Sequence, residues 1–400
     1  MATIDDYHWL VGEEAARALD TIAGEPDSAL VAVAARLRKE HSPARTHLLV
    51  EQATLRRRAR AKFDDADRMF FTPLGLQQAT DQRIARYKAE FLPKGATVAD
   101  LCCGIGGDLL AMAENRSVVG IDRDPIAARF AEANLKAVRP ESPSRVVCEE
   151  ATPSSLNEIE AWHIDPDRRP AGHRTTQPEL HEPSPGTIDR LLEACPNAML
   201  KLAPAAEVPS HWASEGEREW ITSRRECRQQ VIHFGTLARR PGLRRATILL
   251  ESSELKESEP IAHHTFTGSP DQSMPYAPDI KAYFYEPCPS VLAADLTAAL
   301  AEQLDLAAPN ISVPYLTSDQ TVDDPLLARF EVETVMPFDF KRVKRALTER
   351  NVGRLEIKKR AVDLVPEALS KKLKLKGDEP GVLFLFPLGQ HITAVLARRV

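Results

Sequence analysis

The stretch TVADLCCGIGGDLLAMAENRSVVGIDRD, residues 97–124, restricts what this chain can fold into more than any other. An apolar run carries Asp100 near its end, and a turn with Gly104, Gly106 and Gly107 follows. A helical pattern comes next, and a second apolar run closes on Asp122. Glycines between a strand and a helix let the backbone approach a ligand at the helix N-terminus. The pattern therefore predicts a strand, a tight turn, a crossover helix and a parallel strand, with a ligand at the turn.

The residues around the glycines narrow the ligand. A phosphate loop follows its glycines with Lys and then Ser or Thr, which serve phosphates and magnesium; here Asp108 follows Gly107. A dinucleotide fingerprint, GxGxxG, wants a third glycine where this chain has Leu109, and Asp100 would repel a pyrophosphate. An anion at that place suits a cation. S-adenosylmethionine carries an ammonium and a sulfonium and no phosphate. Asp122 then stands where a carboxylate accepts from ribose hydroxyls, and Glu149, Glu150 and Ala151 close the third apolar run where a side chain reaches the adenine.

The same alternation continues along the chain. RVVCEEA, AWHIDPDRR and AMLKLAP read as further strands between helical patterns, the signature of a parallel sheet with crossover helices. RQQVIHFG and RRATILLES read as an antiparallel pair, and residues 253–280, rich in Ser, Pro, Glu and Asp, as a linker that contains His263 and His264. Helical spacing dominates from Tyr7 to Lys62, and a β-α-β-α-β-β order is expected from residue 329 onward. At roughly 150 residues per domain, this length predicts two or three domains. The expected division is a helical region at 1–64, a Rossmann-like α/β domain at 65–255, a connecting segment at 256–328 and a small α+β domain at 329–400.

No secretory signal is legible at the start, no stretch reaches the roughly 18 apolar residues of a membrane span, and the six cysteines show no CxxC spacing. A cytoplasmic protein without a metal site is the expectation. The net charge is −6, but two segments depart from it: Arg36 to Lys62 holds nine Lys or Arg against two acids, and Lys341 to Lys376 holds thirteen against four. Such asymmetry points to a polyanion, with solvated helix faces as the plain alternative.

DLCCGIGGD and VVGIDRDP resemble the cofactor half of class I S-adenosylmethionine-dependent methyltransferases, and in particular the trimethylguanosine synthase group. With FFTPLGLQQATD, IDPDRR, YEPCPSVLAADL and the basic end of the chain, residues 65–400 resemble bacterial methyltransferases that carry a THUMP-like C-terminal domain. The resemblance implies a cofactor site of Thr72, Asp100, Cys102, Gly104, Gly106, Asp122, Glu150, Ala151 and Asp165, with Gln78 and Thr80 shaping it. An N-cap at Thr72 before Pro73 explains that threonine equally well.

Asp165 and Pro166 match the place where amino-methyltransferases hold a target amine, its hydrogens given to the acid and to the proline carbonyl. Asp167 and Arg168 depart from the usual proline and aromatic, so a guanine-cap substrate is not carried over; Arg168 can stack on a base or pair with phosphate. At the C-terminal end, Val343 with Leu347 and Leu369 with Leu373 form inward stripes, leaving Lys341, Lys344, Arg345, Lys371 and Lys372 outward, as phosphate neutralisation requires. The expected activity is methylation of a nucleobase amine in RNA. An RNA-binding protein without turnover and a methyltransferase for protein or small molecules share most of these residues.

Overall fold

Each apolar run from residue 97 onward becomes a strand in the computed structural model, which describes residues 2–138, 142–167, 176–250 and 260–400. Two units organise the chain: the described residues of Met1–Arg218, Gln229–Gly242 and Glu251–Ala262 form the first, and Glu219–Arg228, Leu243–Leu250 and His263–Val400 the second.

The first unit begins with α1 (Ile4–Leu10), α2 (Glu13–Asp20), α3 (Leu30–Leu37) and α4 (Pro43–Ala59). Thr3 opens α1 with a reciprocal cap to Asp6, and Ser42 caps α4 ahead of Pro43. Leu10, Leu19, Leu37 and Leu49 bury their stripe with Phe63, Phe70 and Phe71. Two short helices, α5 (Pro73–Gln78) and α6 (Gln82–Ala89), lead into the sheet.

There β1 (Thr97–Leu101), α7 (Gly107–Met112), β2 (Ser117–Asp122), α8 (Pro125–Val138), β3 (Arg145–Cys148), β4 (Ala161–Ile164), α9 (Pro185–Ala194) and β5 (Ala198–Leu202) follow in turn. After α10 (Ser210–Glu215) comes β6 (Glu217–Ser223), which from Glu219 on belongs to the second unit, and then β7 (Glu226–His233), which belongs to the first from Gln229 on. The order β3-β2-β1-β4-β5-β7 has parallel neighbours from β3 to β5 and an antiparallel β7. Strand order reverses between β1 and β4, and the crevice at their carboxyl ends is the switch point where open α/β sheets bind ligands. Trp162 is fully buried below it, its indole N–H donating to the Cys195 carbonyl at 2.7 Å, so it belongs to the core.

The second unit carries β8 (Arg244–Leu249), β9 (His263–Gly268), β10 (Tyr283–Pro287), α11 (Pro289–Ala293), α12 (Thr297–Gln303) and β11 (Leu316–Ser318). Then come β12 (Leu327–Pro337), α13 (Phe340–Glu349), β13 (Val352–Lys359), α14 (Pro366–Leu373), β14 (Glu379–Leu388) and β15 (His391–Arg399), the expected β-α-β-α-β-β order. Its six-stranded sheet runs β11-β10-β12-β15-β14-β13, with only β13 and β14 parallel. Alternation divides β14: Leu383 and Leu385 meet Val343, Leu347, Leu369 and Leu373, whereas Phe384 and Phe386 meet Phe284 and Tyr315 on the other face.

Two expectations need correction. β7 and β8 are not partners: β7 pairs with β5, and β8 pairs with β9. The stretch expected as a linker contains β9, so His263 and His264 are strand residues, and His264 Nε2 lies 3.5 Å from Asp324. Among the described residues, no helix is long and apolar enough to cross a membrane.

Candidate active site

A cavity of about 480 Å³ opens at the carboxyl ends of β1, β2 and β4. The turn after β1 is shaped by backbone that side chains resist, with φ of 55° at Cys102, 55° at Gly104 and 92° at Gly106. Asp122 holds that turn: one carboxylate oxygen accepts the Gly104 N–H at 2.7 Å, the other the Asp124 N–H at 2.9 Å. Burial raises the Asp122 carboxyl above its ordinary value, against the pull of these donors. Burial also pushes the Cys102 thiol well up.

Behind the turn runs a buried chain of charged groups. His163 Nδ1 lies 2.7 Å from Asp100 Oδ1, and His163 Nε2 lies 2.9 Å from Lys88 Nζ. Lys88, with no exposed surface, pairs with Asp108 at 2.7 Å. Thr80 donates its hydroxyl to Asp108 at 2.6 Å and accepts from Lys201 Nζ at 2.9 Å. Lys201 also donates to Asp165 Oδ2, so the chain ends at the residue that follows β4. Burial alone would raise Asp108, but the Lys88 and Lys201 ammonium groups hold it well below the ordinary carboxylate value.

This chain contains three carboxylates, Asp100, Asp108 and Asp165, against two ammonium groups, Lys88 and Lys201. Asp100 is 1% exposed, and its Oδ2 has no hydrogen-bond partner among the described residues. A buried carboxylate oxygen without a donor is costly, on the order of 1–3 kcal/mol or more. Burial accordingly raises the Asp100 carboxyl, although His163 opposes the rise. The wall thus lacks one cation. A ligand with an ammonium or sulfonium fits it, and a phosphate does not: the described cavity wall holds nine carboxylates against Arg123 and His163.

Thr72, Asp100, Cys102, Gly104, Asp122, Glu150, Ala151, Asp165 and Pro166 all line this one cavity, as do Gln78 and Thr80. Gly106 caps α7 just behind it. The Thr72 hydroxyl accepts the Gly75 N–H at 2.9 Å with Pro73 next in line, so it is an N-cap that also faces the cavity.

The segment bearing Thr72 is secured by the helical region. Gln52 exchanges two hydrogen bonds with the Phe71 backbone, and Arg56 donates to the Met69 carbonyl at 2.9 Å. Lys62 reaches the carbonyls of Leu76 and Ala79, each at 2.8 Å, at the open end of α5. From α8, fully buried Asn134 takes the Phe70 N–H at 2.7 Å and gives to the carbonyls of Phe70 and Ile105. Arg56 and Lys62, two cations of the N-terminal basic segment, therefore serve the structure.

Lys88, His163 and Lys201 were missed in the sequence. A pair across the cavity wall, Arg123 with Glu182, also escaped it. Arg168 lies outside the described residues. In the second unit, Lys341, Arg345, Lys371 and Lys372 are exposed on α13 and α14, and Lys344 is half-buried.

Residues 327–399 match the family model described as THUMP domain-like, and residues 3–59 match a domain of unknown function, DUF8688. Two curated proteins from Mycobacterium tuberculosis, strains CDC 1551 / Oshkosh and ATCC 25618 / H37Rv, are similar along most of the chain. Both are described as uncharacterized S-adenosylmethionine-dependent methyltransferases, 29% identical over 364 residues that cover 88% of this chain and 96% of theirs. The crystal structure of a candidate methyltransferase from Porphyromonas gingivalis W83 superposes with a TM-score of 0.80 at 20% identity, covering 96% of this chain and 97% of that one. The architecture is an α/β methyltransferase fold. It is joined to an N-terminal helical region and a THUMP-like C-terminal sheet domain.

Proposed function

We propose that this chain methylates an amine nitrogen of a nucleobase in RNA. It is an S-adenosylmethionine-dependent methyltransferase, as its mycobacterial relatives are described. The observation that carries the reading is the juxtaposition, in one acid-walled cavity, of Asp100 under the glycine turn and Asp165-Pro166 at the end of the neighbouring strand. When bound, the cofactor supplies an electrophilic methyl group on its sulfonium. Asp100 would take its ammonium, Asp122 its ribose hydroxyls, and Glu150 with Ala151 its adenine.

Asp165 and the Pro166 carbonyl then accept the hydrogens of an incoming amine and turn its lone pair toward the methyl group. Lys201 keeps one carboxylate oxygen of Asp165 in place. The motif similarity to the trimethylguanosine synthase group supports an amine acceptor, while Asp167 at the second proline position argues for a different base environment.

The THUMP-like match and the exposed lysines of α13 and α14 favour RNA as the carrier of that amine. The acidic wall bears on how RNA would enter: it repels phosphate, so a base extruded from its neighbours is the part that fits. Comparative nucleoside mass spectrometry of RNA from cells with and without this gene tests the reading. A base N-methyl mark that disappears with the gene supports it; identical nucleoside profiles, with methyl transfer into protein or a metabolite, would favour the other acceptors.

A further inference from the structure

We infer that His163, backed by Lys88, is a positioning residue for the cofactor's ammonium group, acting by fixing the orientation of Asp100. This rests on the reading that the cavity takes S-adenosylmethionine with its ammonium at Asp100. Nothing in the glycine-turn motif requires a histidine at this place on β4, and its role emerges only from the contacts of both ring nitrogens.

An ammonium group has donors and no acceptor. Lys88 sits fully buried against Asp108 at 2.7 Å and presents a further N–H to His163 Nε2 at 2.9 Å. With Asp108 at 2.7 Å opposing the pull of burial on its proton, Lys88 donates as an ammonium and that ring nitrogen accepts, which leaves the hydrogen on Nδ1. Nδ1–H donates to Asp100 Oδ1 at 2.7 Å.

Asp100 is thereby held by one oxygen, and Oδ2 remains without a partner among the described residues, in a carboxylate that forms part of the cavity wall. Strand pairing supports the arrangement, because Asp100 and His163 are direct partners in the β1–β4 ladder and the imidazole cannot drift from the carboxylate. A carboxylate whose rotation is fixed loses less freedom when a cation binds it. The fully buried state of His163 and Lys88 also keeps water from competing for Asp100 Oδ1.

Titration calorimetry on the full chain separates this from a merely structural role. The substitutions are His163→Asn, whose side-chain amide can replace Nδ1, and His163→Gln, whose longer amide replaces Nε2 and leaves Asp100 unheld. The ligands are S-adenosylmethionine and 5′-methylthioadenosine, which keeps the adenosine and lacks the amino-acid portion. The expected result is that Gln weakens S-adenosylmethionine binding by about tenfold or more, that Asn restores most of it, and that neither changes 5′-methylthioadenosine binding.

Equal weakening of both ligands by Gln, or no weakening of either, would overturn the assignment while leaving the cofactor reading intact. Failure of the unmodified chain to bind S-adenosylmethionine would overturn both. Thermal melts accompany each titration. If the Gln variant does not fold, His163→Ala takes its place, with the same roughly tenfold loss of S-adenosylmethionine binding and unchanged 5′-methylthioadenosine binding expected, and the same outcomes overturning the assignment.

Discussion

Lys201 Nζ donates to Asp165 Oδ2 from the neighbouring strand, with only 8% of the Lys201 side chain exposed. The acid that would receive the acceptor amine is thus pinned by a residue that no substrate needs to touch. Lys201 also donates to Thr80, which belongs to the segment between α5 and α6, so the end of β4 is tied to that segment of the cavity wall. Lys201→Met is predicted to lower kcat for RNA methylation by about 10- to 100-fold and to leave cofactor affinity within about threefold. A combined Lys201→Met and Asp165→Asn variant should recover thermal stability lost by Lys201→Met alone, because residue 165 is then no longer a carboxylate deprived of its cation, while staying inactive. Differential scanning calorimetry beside transfer kinetics reads both outcomes.

Replacing Asp165 with Ala removes an acceptor of the amine hydrogens without touching Asp100 or Asp122. Methyl transfer should fall below detection while calorimetric binding of S-adenosylmethionine changes by less than about threefold. Parallel loss of transfer and binding would show that Asp165 acts in building the site.

The pH dependence of cofactor binding follows from Asp100. Burial raises its carboxyl above the ordinary value in the free protein, and a bound ammonium would lower it again. Affinity should therefore be complete above the raised value and decline as pH falls through it, starting at higher pH than an ordinary carboxylate near 3.8 would give. Calorimetry across that range reads the decline, and Asp100→Asn should flatten it.

Gln52 satisfies both the N–H and the carbonyl of Phe71 in a fully buried setting. Gln52→Ala leaves two buried backbone groups unpaired, which predicts a loss of about 2–4 kcal/mol of stability in urea unfolding. Because the same segment continues into Thr72, weaker cofactor binding should accompany the loss.

Phosphate neutralisation predicts a salt signature. Reversing Lys341, Lys344, Lys371 and Lys372 to Glu should weaken RNA binding in filter or fluorescence titrations. It should also flatten the plot of log affinity against log salt by about 0.7 for each phosphate of a single strand that the variant no longer neutralises. Cofactor titrations of the same variant should be unchanged, since none of the four lines the cavity.

The fold was legible because its pattern is local. Asp100, the glycines and Asp122 occur within 23 residues, and the apolar runs show their strands directly. The buried charges were not legible in that way. Lys88 and His163 are separated by 75 positions, and Thr80 and Lys201 by 121. One signal was available: His163 in AWHID and Lys201 in AMLKLAP interrupt runs that parallel strands otherwise keep apolar. A polar residue at such a place needs a buried partner.

The same blindness explains β6, whose sequence EREWITS looks solvated. Its Glu219 is fully buried and takes the Thr247 hydroxyl at 2.5 Å. Polarity likewise concealed β9 in HHTFTG. In the basic N-terminal segment, the backbone-carbonyl contacts of Arg56 and Lys62 were equally illegible, because their partners lie 13 and 14 positions away.

The most direct measurement is tritiated methyl transfer from S-adenosylmethionine by the purified chain into total RNA from cells lacking the gene, with RNA from cells that carry it and total protein assayed alongside. Label entering only the RNA of the gene-lacking cells is the predicted result, because those molecules alone retain the unmodified amine. No label in either RNA, from a chain shown by calorimetry to bind the cofactor, would contradict the assignment of RNA as the acceptor.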